Sequence, residues 1–465
     1  MAEKKLIKDP IHGYMEFEDW AVKFIDTPQF QRLRDIKQLG TAFYIFPGAT
    51  HTRFEHSLVE IITGTAHLAY TLTKRLQEQK GKSDDDDRNL KCVTLAALCH
   101  DLGHGPYSHL FDRDFIQDCL GIKWKHEDGS VTMFKDLLEK NSINLNSIGL
   151  IHDEDVEIIE ALIRGKSDQQ TKRQIPKYLF EIVNNERNSI DVDKFDYFTR
   201  DCYYAGVKRS FDFSRLMRLS CVKNDKIVYY HKECYLIYDL FHTRYSLHKT
   251  VYKHRIVRAI DHMICDVLKG AKQYLAKKYG FKDFEDAINN AEKYIRLSDS
   301  IFHEIEHSED KELEKSKGII KQIKERKLYK FVDEYLTKPK KESEKKNITE
   351  DIMDEITNSG VTLCGEYIKH DDIIIDWISF DYGKKDKNPV KDVEFYNKTD
   401  DEPFNIMEED VSYLLPVFHK EETVRIYLRT KGKEEKTELK RSIALIKNAL
   451  KIVFVKIKKV KFRYI

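Results

Sequence analysis

Apolar side chains recur every three or four residues over long stretches of the chain, and this spacing predicts amphipathic helices. The pattern is clear between residues 21 and 75, in VKFIDTPQFQRLRDIKQL and FEHSLVEIITGTAHLAYTLTKRL, and it returns across 174–280. The segment SDDDDRN at 83–89 is expected to be an acidic surface loop, and CVTLAALC a buried helix that ends near Gly103. KNDKIVYY predicts a hairpin within the second helical stretch.

The C-terminal part has a different pattern, in which β-branched and aromatic residues alternate with polar ones. YIKHDDIIIDWISFDYG, VEFYNK and VRIYLRT predict strands, and the tail KIVFVKIKKVKFRYI predicts an edge strand protected by its charges. KPKKESEKKN at 338–347 has the composition of a linker or exposed loop. The predicted fold class is mainly α, with a helical core at 1–280, a charged helical extension and linker at 281–350, and a smaller α+β lobe for regulation or oligomerisation at 351–465.

Composition limits the function classes only loosely. The 465 residues include 80 Lys+Arg and 79 Asp+Glu, so the net charge of +1 neither requires nor excludes a polyanionic partner. Eight cysteines without a CxxC pair, and the charged start MAEKKLIKD, predict an intracellular protein of the cytosol or nucleus. No apolar run approaches the roughly 20 residues of a membrane span, so no membrane is expected. The six Lys or Arg in the last 15 residues leave nucleic-acid binding as a secondary alternative.

Residues 98–112, LCHDLGHGPYSHLFD, concentrate ionisable side chains beside an apolar helix. His100 and Asp101 are adjacent, and imidazole with carboxylate suits Zn, Fe, Mn or Ni better than the all-oxygen shells of Ca or Mg. Further ligands are expected from His56 in TRFEHS and from Asp191 or Asp193 in NSIDVDKFDYF, since buried charge needs a partner. Taken alone, His56 is better explained as a hydrogen-bonded core histidine.

The wider pattern of His56, His100–Asp101 and Asp193, within RFEHS, LCHDLGHGPYSH and IDVDKFDYF, resembles the HD-domain metal phosphohydrolases. Within them it is similar to the sterile-alpha-motif and HD-domain dNTP triphosphohydrolases. The resemblance runs from KKLIKDPIHG to FHTRYSLHKTVYKHR, weakens beyond about residue 260 and resumes in YGKKDKNPV and VEFYNKT. No sterile alpha motif is expected before residue 1. The resemblance implies that His56, His100, Asp101 and Asp193 bind the metal, that water attacks the α-phosphorus, and that deoxynucleoside and intact triphosphate are released, with Mg as a further cation on the phosphates.

The same resemblance suggests roles for other residues in and around the site. His104 and His109 follow the helix in a Gly- and Pro-rich turn expected to expose them; His109 is the candidate general acid, Asp112 its orienting group and His126 a second candidate. Out of context each is an ordinary surface histidine. The implied substrate residues are Arg53, Lys194 and Arg244 for the triphosphate, Tyr197 and Asp201 for phosphate and the sugar 3′-hydroxyl, Gln38 and Leu39 for the sugar, His248, and Tyr252, which would crowd a 2′-hydroxyl.

The resemblance further implies tetramers bridged by GTP or dGTP and then a dNTP. The guanine-nucleotide residues would be Lys5, Leu6, Asp26, Gln31 and Arg34, and those of the second nucleotide would be Ile45, Phe46, Arg215, Lys232, His254 and Arg255. Asp26 is also a candidate N-cap of the TPQF helix. The chain departs from the family at Lys8, Tyr230 and Leu236, and acidic TDDEPFNI around Pro403 replaces a segment with a regulatory Arg, which weighs against retained activation.

Two alternatives stay open at this point. One is an HD phosphohydrolase acting on another nucleotide or phosphoester, which would release different products. The other is a catalytically silent nucleotide sensor or single-stranded nucleic-acid binder, for which loss of His100 and Asp101 would be harmless. The intact ligand quartet favours the enzyme, because a pure binder has no reason to bury it.

Overall fold

Helices dominate the N-terminal part, as the apolar spacing predicts. A computed structural model describes residues 5–11, 13–57, 64–81, 83–208, 212–399 and 402–459. Residues 58–63 of the predicted FEHSLVEIITGT helix therefore lie outside the described residues. The first eleven α-helices are α1 Asp19–Ile25, α2 Pro28–Gln31, α3 Arg53–Ser57, α4 Thr65–Lys80, α5 Asp86–Cys99, α6 His126–Lys140, α7 His152–Arg164, α8 Val192–Ala205, α9 Phe213–Arg218, α10 Cys234–Leu247 and α11 Arg255–Tyr279.

Two π-helical segments and four shorter α-helices also belong to the helical part of the chain. Leu110–Cys119 and His248–Tyr252 have π-helical hydrogen bonding, which occurs frequently at functional sites. The shorter helices are α12 Phe284–Ile288, α13 Ala291–Tyr294, α14 Ile301–His307 and α15 Glu314–Lys324. Most of the buried apolar side chains of these helices form one large cluster.

Two hairpins accompany the helices. β1 Lys5–Asp9 pairs with β2 Gly13–Phe17. β3 Ser220–Lys223 pairs with β4 Lys226–Tyr230, which confirms the hairpin predicted from KNDKIVYY. The short strand β9 Phe395–Tyr396 adds to β4 in parallel and so joins the C-terminal part to the helical part.

The C-terminal lobe is α+β, as predicted. β5 Lys330–Thr337, β8 Ile373–Asp381 and β10 Lys420–Leu428 form an antiparallel sheet in the order β5-β10-β8. Helices α16 Glu342–Asn358 and α18 Lys436–Lys459 share a second apolar cluster with this sheet. The remaining elements are β6 Thr362–Leu363, β7 Glu366–Tyr367 and α17 Glu408–Val411. The mainly α fold class is confirmed. The division of the chain at residue 350 stays a prediction. Strand β5, which lies in the predicted extension at 281–350, pairs with β10 of the C-terminal lobe.

Three local predictions are wrong. The tail is helical to Lys459, since Ile446, Leu450 and Val453 recur at helical spacing and pack in the second cluster; residues 460–465 lie outside the described residues. KPKKESEKKN is not all loop, because α16 begins at Glu342. SDDDDRN is only half loop, because Asp86 and Asp87 form the first turn of α5, where carboxylates stabilise the helix dipole.

The two lobes meet through buried ion pairs. The guanidinium of Arg258 in α11 binds Asp376 of β8 at 3.0 Å and Asp114 of the first π-helical segment at 2.7 Å. Arg244 of α10 donates to the Asp381 carbonyl at the end of β8 at 2.6 Å. These contacts attach the C-terminal sheet to the elements that surround the pocket described below. Among the described helices, none combines the length and apolarity that crossing a membrane would need.

Candidate active site

A cavity of about 340 Å³ lies where α3, α8, α11, the turn after α5 and the second π-helical segment converge. Its wall contains most of the side chains that the sequence singled out for catalysis and substrate. The predicted residues that line it are Gln38, Leu39, Arg53, His100, Asp101, His104, His109, His126, Asp193, Lys194, Tyr197, Asp201, Arg244, His248 and Tyr252.

The four predicted metal ligands meet at one end of this cavity. The candidate ligand atoms of His56, His100 and Asp101 all lie within 4.8 Å of one another. Asp193 Oδ1 lies 3.0 Å from His56 Nε2 and 3.5 Å from His100 Nε2. Of the two aspartates left open by the sequence, Asp193 therefore faces the cluster, whereas Asp191 caps α8 and accepts from Lys194 N.

Hydrogen bonds fix the tautomers of both histidines. His100, the residue that ends α5, has Nδ1 2.7 Å from the Ala97 carbonyl, and His56 has Nδ1 2.7 Å from Asp196 Oδ2. Because these oxygens accept, each Nδ1 donates a proton to its partner, and Nε2 is the nitrogen left to face the cluster. Both Nε2 atoms are buried without a hydrogen-bond partner. Two imidazole Nε2 atoms beside carboxylate oxygens are the donor set of a transition-metal ion, which would bind them in their unprotonated form.

The charge of the cluster also fits a cation. Burial lowers the pKa of His56, but the Asp193 and Asp196 carboxylates beside its two ring nitrogens outweigh burial and raise the pKa to about 10, so the metal-free ring carries a second proton that a metal would replace. The pKa of Asp193 is lowered, because the adjacent His100 and His56 imidazoles outweigh the effect of its burial. The carboxylates thus favour positive charge at this point, which a divalent metal would supply. The residues present fit the metal that the sequence pattern implies.

A chain of charges behind His56 holds its ring in place. Asp196 accepts from His56 and from Arg200 Nε at 2.9 Å, and Arg200 Nη1 binds Asp9 at 2.9 Å. All of these side chains are buried. The sequence analysis missed Asp196 and Arg200, although their spacing from Asp193 on α8, three and seven residues, predicts one helix face.

A second cluster adjoins the first. The rings of His104 and His126 stack with centroids 4.0 Å apart, and His104 Nε2 lies 3.2 Å from Asp101 Oδ1. The Asp112 carboxylate lies 3.1 Å from His126 Nδ1 and 3.4 Å from His109 Nδ1. Asp112 thus contacts both imidazoles, so either can be the one it orients.

The turn that carries this cluster is more tightly packed than predicted. His104 is buried, so the expectation that the glycine-rich turn exposes it is wrong, while the His109 side chain is 44% exposed. A Cβ on Gly103 would lie 2.1 Å from the His126 carbonyl, so only glycine allows the turn to approach α6 this closely. Tyr107 and Ser108 adopt positive φ angles of 60° and 58°, a strained conformation typical of functional sites.

Two of the three histidines of the second cluster differ from those of the first cluster in the direction of their pKa shifts. Burial and the nearby Arg53 lower the pKa of His104, and burial and Arg113 lower the pKa of His109 to about 4. Burial also lowers the pKa of His126, but Glu127 and Asp112 outweigh it and raise that pKa. The ligand atoms of the second cluster, His104, His109, Asp112 and His126, are close enough together to bind a metal ion. The adjacent guanidinium groups, however, disfavour a cation at this position and favour an anion. The second cluster is therefore better suited to transfer a proton to or from an anionic ligand.

The predicted phosphate-binding cations reach the cavity but have protein partners. Arg53 Nη1 binds Asp101 Oδ2 at 2.6 Å, Lys194 Nζ binds Asp191 Oδ2 at 2.8 Å, and Arg244 Nη1 binds Asp381 Oδ1 at 3.0 Å. Three further cations that the sequence analysis did not select also line the cavity: Arg113, Lys253 and Arg258. They carry no local sequence signal, because only the fold brings them to the wall.

Two of the residues predicted to lie around the sugar, Tyr252 and Asp201, are hydrogen-bonded to each other. Tyr252 O–H donates to Asp201 Oδ2 at 2.6 Å, and His51 Nε2 lies 2.8 Å from Asp201 Oδ1. The ring of His248 lies edge-on to Tyr252 with centroids 5.0 Å apart. The amide oxygen of Gln38 is buried without a hydrogen-bond partner. His51 is a positioning residue that the sequence analysis missed.

The predicted guanine-nucleotide residues are partly brought together. Arg34 Nε donates to Gln31 Oε1 at 2.7 Å, and Gln31 Nε2 donates to the Ile25 carbonyl, beside Asp26. Lys5 and Leu6 lie in β1. Asp26 is exposed at the end of α1, and the predicted capping role is wrong, because Thr27 is the N-cap of α2 and accepts from Phe30 N.

The predicted residues of the second nucleotide fall into separate contacts. Phe46, next to Ile45, lies edge-on to His254 with centroids 6.0 Å apart, and Arg255 stacks over Phe331. Arg215 instead binds Glu233, the neighbour of Lys232, at 2.7 Å. Among the departures from the family pattern, Lys8 is exposed and Tyr230 packs against Tyr396, while part of TDDEPFNI, residues 400–401, lies outside the described residues.

Comparison with known proteins agrees with this geometry. The model of the HD domain family matches residues 53–201, a range that includes the four predicted metal ligands. The deoxynucleoside triphosphate triphosphohydrolase SAMHD1 of Bos taurus is 42% identical over 460 residues, covering 93% of this chain and 76% of that protein. The Homo sapiens protein of the same name is 41% identical, covering 91% and 70%. The SAMHD1 homolog of Dictyostelium discoideum is 40% identical, covering 93% and 79%.

Proposed function

The chain belongs to the HD-domain deoxynucleoside triphosphate triphosphohydrolases, and on this premise we propose that it hydrolyses dNTPs to deoxynucleoside and inorganic triphosphate. The observation that carries the proposal is the cluster of His56, His100, Asp101 and Asp193, in which two imidazole Nε2 atoms lie beside carboxylates at the wall of one cavity lined by cations. The protein would thereby control dNTP levels inside the cell, in the cytosol or nucleus.

The four clustered side chains hold a divalent metal in this proposal. Two imidazoles with carboxylates suit Zn, Fe, Mn or Ni, and Mg would accompany the substrate phosphates. A metal bound there would activate water and polarise a phosphoryl oxygen. The protein's own contribution is orientation: Asp196 and the Ala97 carbonyl keep both rings turned so that Nε2 faces the ligand position.

The second cluster handles the proton. Cleavage between the α-phosphorus and the 5′-oxygen requires a proton for the leaving alkoxide, and an imidazole can supply it near neutral pH. We assign this role to His109, because its partly exposed ring faces the cavity and Asp112 orients it. Its pKa of about 4 must rise when negative phosphate binds, so protonation is coupled to substrate. His104 and His126 then pack beside the phosphates.

The rest of the wall selects the substrate. Arg53, Lys194 and Arg244 would neutralise the triphosphate, exchanging part of their present carboxylate contacts for phosphate oxygens. Gln38, with its unpaired amide oxygen, and Leu39 would contact the sugar, while Tyr197 and Asp201 would bind phosphate and the 3′-hydroxyl. Tyr252, tied to Asp201 and packed on His248, would leave no room for a 2′-hydroxyl.

We also propose that nucleotides bound outside the active site regulate the enzyme. GTP or dGTP would bind at Lys5, Leu6, Asp26, Gln31 and Arg34, and a dNTP at Ile45, Phe46, Arg215, Lys232, His254 and Arg255, between subunits of a dimer or tetramer. The Gln31–Arg34 contact beside the exposed Asp26 supports the first site. The second is less well supported, because Arg215 is engaged by Glu233. Nucleic-acid binding has no specific support.

Product analysis tests the function. Purified protein is incubated with each dNTP, with and without GTP, and the products are followed by ³¹P NMR and chromatography. Deoxynucleoside plus triphosphate is the expected result, whereas monophosphate plus pyrophosphate would contradict the proposed bond cleavage. Full turnover without GTP would refute the proposed activation alone. Absence of turnover, with nucleotide still bound, would favour the sensor.

A further inference from the structure

A second constellation of metal-binding side chains lies on α14, outside the cavity. His303, Glu306 and His307 occupy positions i, i+3 and i+4, which place them on one face of the helix. Their candidate ligand atoms all lie within 4.8 Å of one another. The two rings are nearly parallel, at 27°, with centroids 6.2 Å apart. Both imidazoles therefore face the same space beside the carboxylate.

The hydrogen bonds leave a ligand atom free on His307 and on Glu306. His307 Nδ1 lies 2.8 Å from the His303 carbonyl, so Nδ1 carries the proton and Nε2 keeps a lone pair. Glu306 Oε1 accepts from Lys324 Nζ of α15, while Oε2 is buried without a hydrogen-bond partner and lies 3.7 Å from His303 Nδ1. One oxygen thus binds the lysine and the other faces the histidines.

From this arrangement we propose that His303, Glu306 and His307 bind a divalent transition-metal ion at the surface. Two imidazoles and one carboxylate suit Zn²⁺, and Cu²⁺ should bind more tightly in the Irving–Williams order, whereas Mg²⁺ and Ca²⁺ should not compete. His303 is exposed, so the ion would keep water in its remaining positions. The site is independent of the proposed dNTP hydrolysis, because none of its residues lines the cavity.

Bound metal would stiffen a segment close to the active site. α14 begins two residues after Asp299, whose carboxylate accepts from Lys37 N at 3.0 Å and, at 2.7 Å, from N of Tyr107 in the cavity wall. Closing three ligands on one ion ties the last turn of α14 together, and Lys324 connects that turn to α15. The structure therefore predicts a rise in thermal stability on adding Zn²⁺.

Metal stoichiometry tests the proposal. The full chain is saturated with Zn²⁺, freed of excess by gel filtration and analysed by plasma mass spectrometry, with Co²⁺ absorption as a second readout. His303→Gln combined with His307→Gln should lose one Zn²⁺ per chain and the stabilisation, yet retain dNTP turnover. His152→Gln combined with His370→Gln, two exposed histidines elsewhere, is the matched control and should lose neither.

Two single variants examine the carboxylate. Glu306→Gln should weaken Zn²⁺ binding about ten-fold or more, and Lys324→Met should tighten it by removing the competing cation. Equal stoichiometry in the wild type and in the His303/His307 double variant would overturn the proposal. Unchanged affinity in Glu306→Gln would overturn the three-ligand assignment.

Discussion

His56 donates its Nδ1 proton to Asp196 across 2.7 Å, and this one bond decides that Nε2 faces Asp193 and the cavity. Asp196 is itself held by Arg200, so ring, carboxylate and guanidinium form a rigid support behind the proposed metal. A carboxylate that orients a histidine ligand also raises the basicity of that ligand. The affinity of the site therefore depends on a residue that never contacts the metal.

Asp196→Asn should weaken metal binding about 10- to 100-fold, because the ring of His56 loses its charged partner. The metal that survives dialysis against a chelator, measured by plasma mass spectrometry, checks this. Asp155→Asn, at a buried carboxylate paired with Arg88 and Arg173 away from the cavity, is the control for general loss of stability. Equal chelator resistance in wild type and Asp196→Asn would contradict the supporting role.

Tyr252→Ala should admit ribonucleotides. The space opened for one hydroxyl should lower the free-energy barrier for rNTP relative to dNTP by about 1–3 kcal/mol. The ratio of kcat/KM for rNTP to kcat/KM for dNTP should therefore rise roughly 10- to 200-fold over the wild type. Tyr252→Phe keeps the ring but removes the hydrogen bond to Asp201, so it should keep the discrimination and lower turnover of both substrates. If Phe and Ala relax the selectivity equally, the hydrogen bond rather than the ring is the gate.

The pH dependence should identify the proton donor. A general acid is active when protonated, so the rate should fall as pH rises through its pKa. His109 has a pKa of about 4 in the free protein, and bound phosphate raises it; the basic limb of kcat should therefore lie at higher pH than that of kcat/KM. The basic limb of the pH–rate profile should vanish in His109→Gln. If that limb persists in His109→Gln but is lost in His126→Gln, His126 rather than His109 is the general acid.

Asp299 should make stability depend on pH. Burial raises its pKa from 3.8 to about 6 although two backbone N–H groups donate to it, so the folded state binds a proton more tightly than the unfolded state. Unfolding free energy should fall by about 2 kcal/mol as pH rises from 4 to 6. In Asp299→Asn this contribution disappears, and urea midpoints measured across that range check it. Parallel pH profiles for both proteins would exclude the effect.

Much of the site was predictable from the sequence because its residue types are unusual in their places. His56, His100, Asp101 and Asp193 are ionisable residues on apolar helices, and burial of such groups calls for partners. The residues that support the rest of the cavity wall were harder to find. His51 and Arg258 resemble any other polar surface residue until distant segments meet, and the α14 cluster consists of residue types common on exposed helices.

The fold was predictable where one periodicity was long, and unpredictable where two competed. α11 has an uninterrupted helical spacing over 25 residues. KIVFVKIKK at 451–459 alternates like a strand, and yet it is helical and packs Val453 and Phe454 in the second cluster. Tertiary packing decides such segments. The same holds for His104, which close packing of Gly103 buries against expectation.

In the proposed reaction, water attacks the α-phosphorus at a metal held by His56, His100, Asp101 and Asp193. Hydrolysis of dGTP in H₂¹⁸O, followed by mass spectrometry of both products, tests this reaction. The label should appear in the triphosphate and not in the deoxynucleoside, and His100→Gln and Asp101→Asn, folded as judged by circular dichroism, should release neither product. Label in the deoxynucleoside 5′-hydroxyl, or undiminished turnover in either variant, would contradict the account.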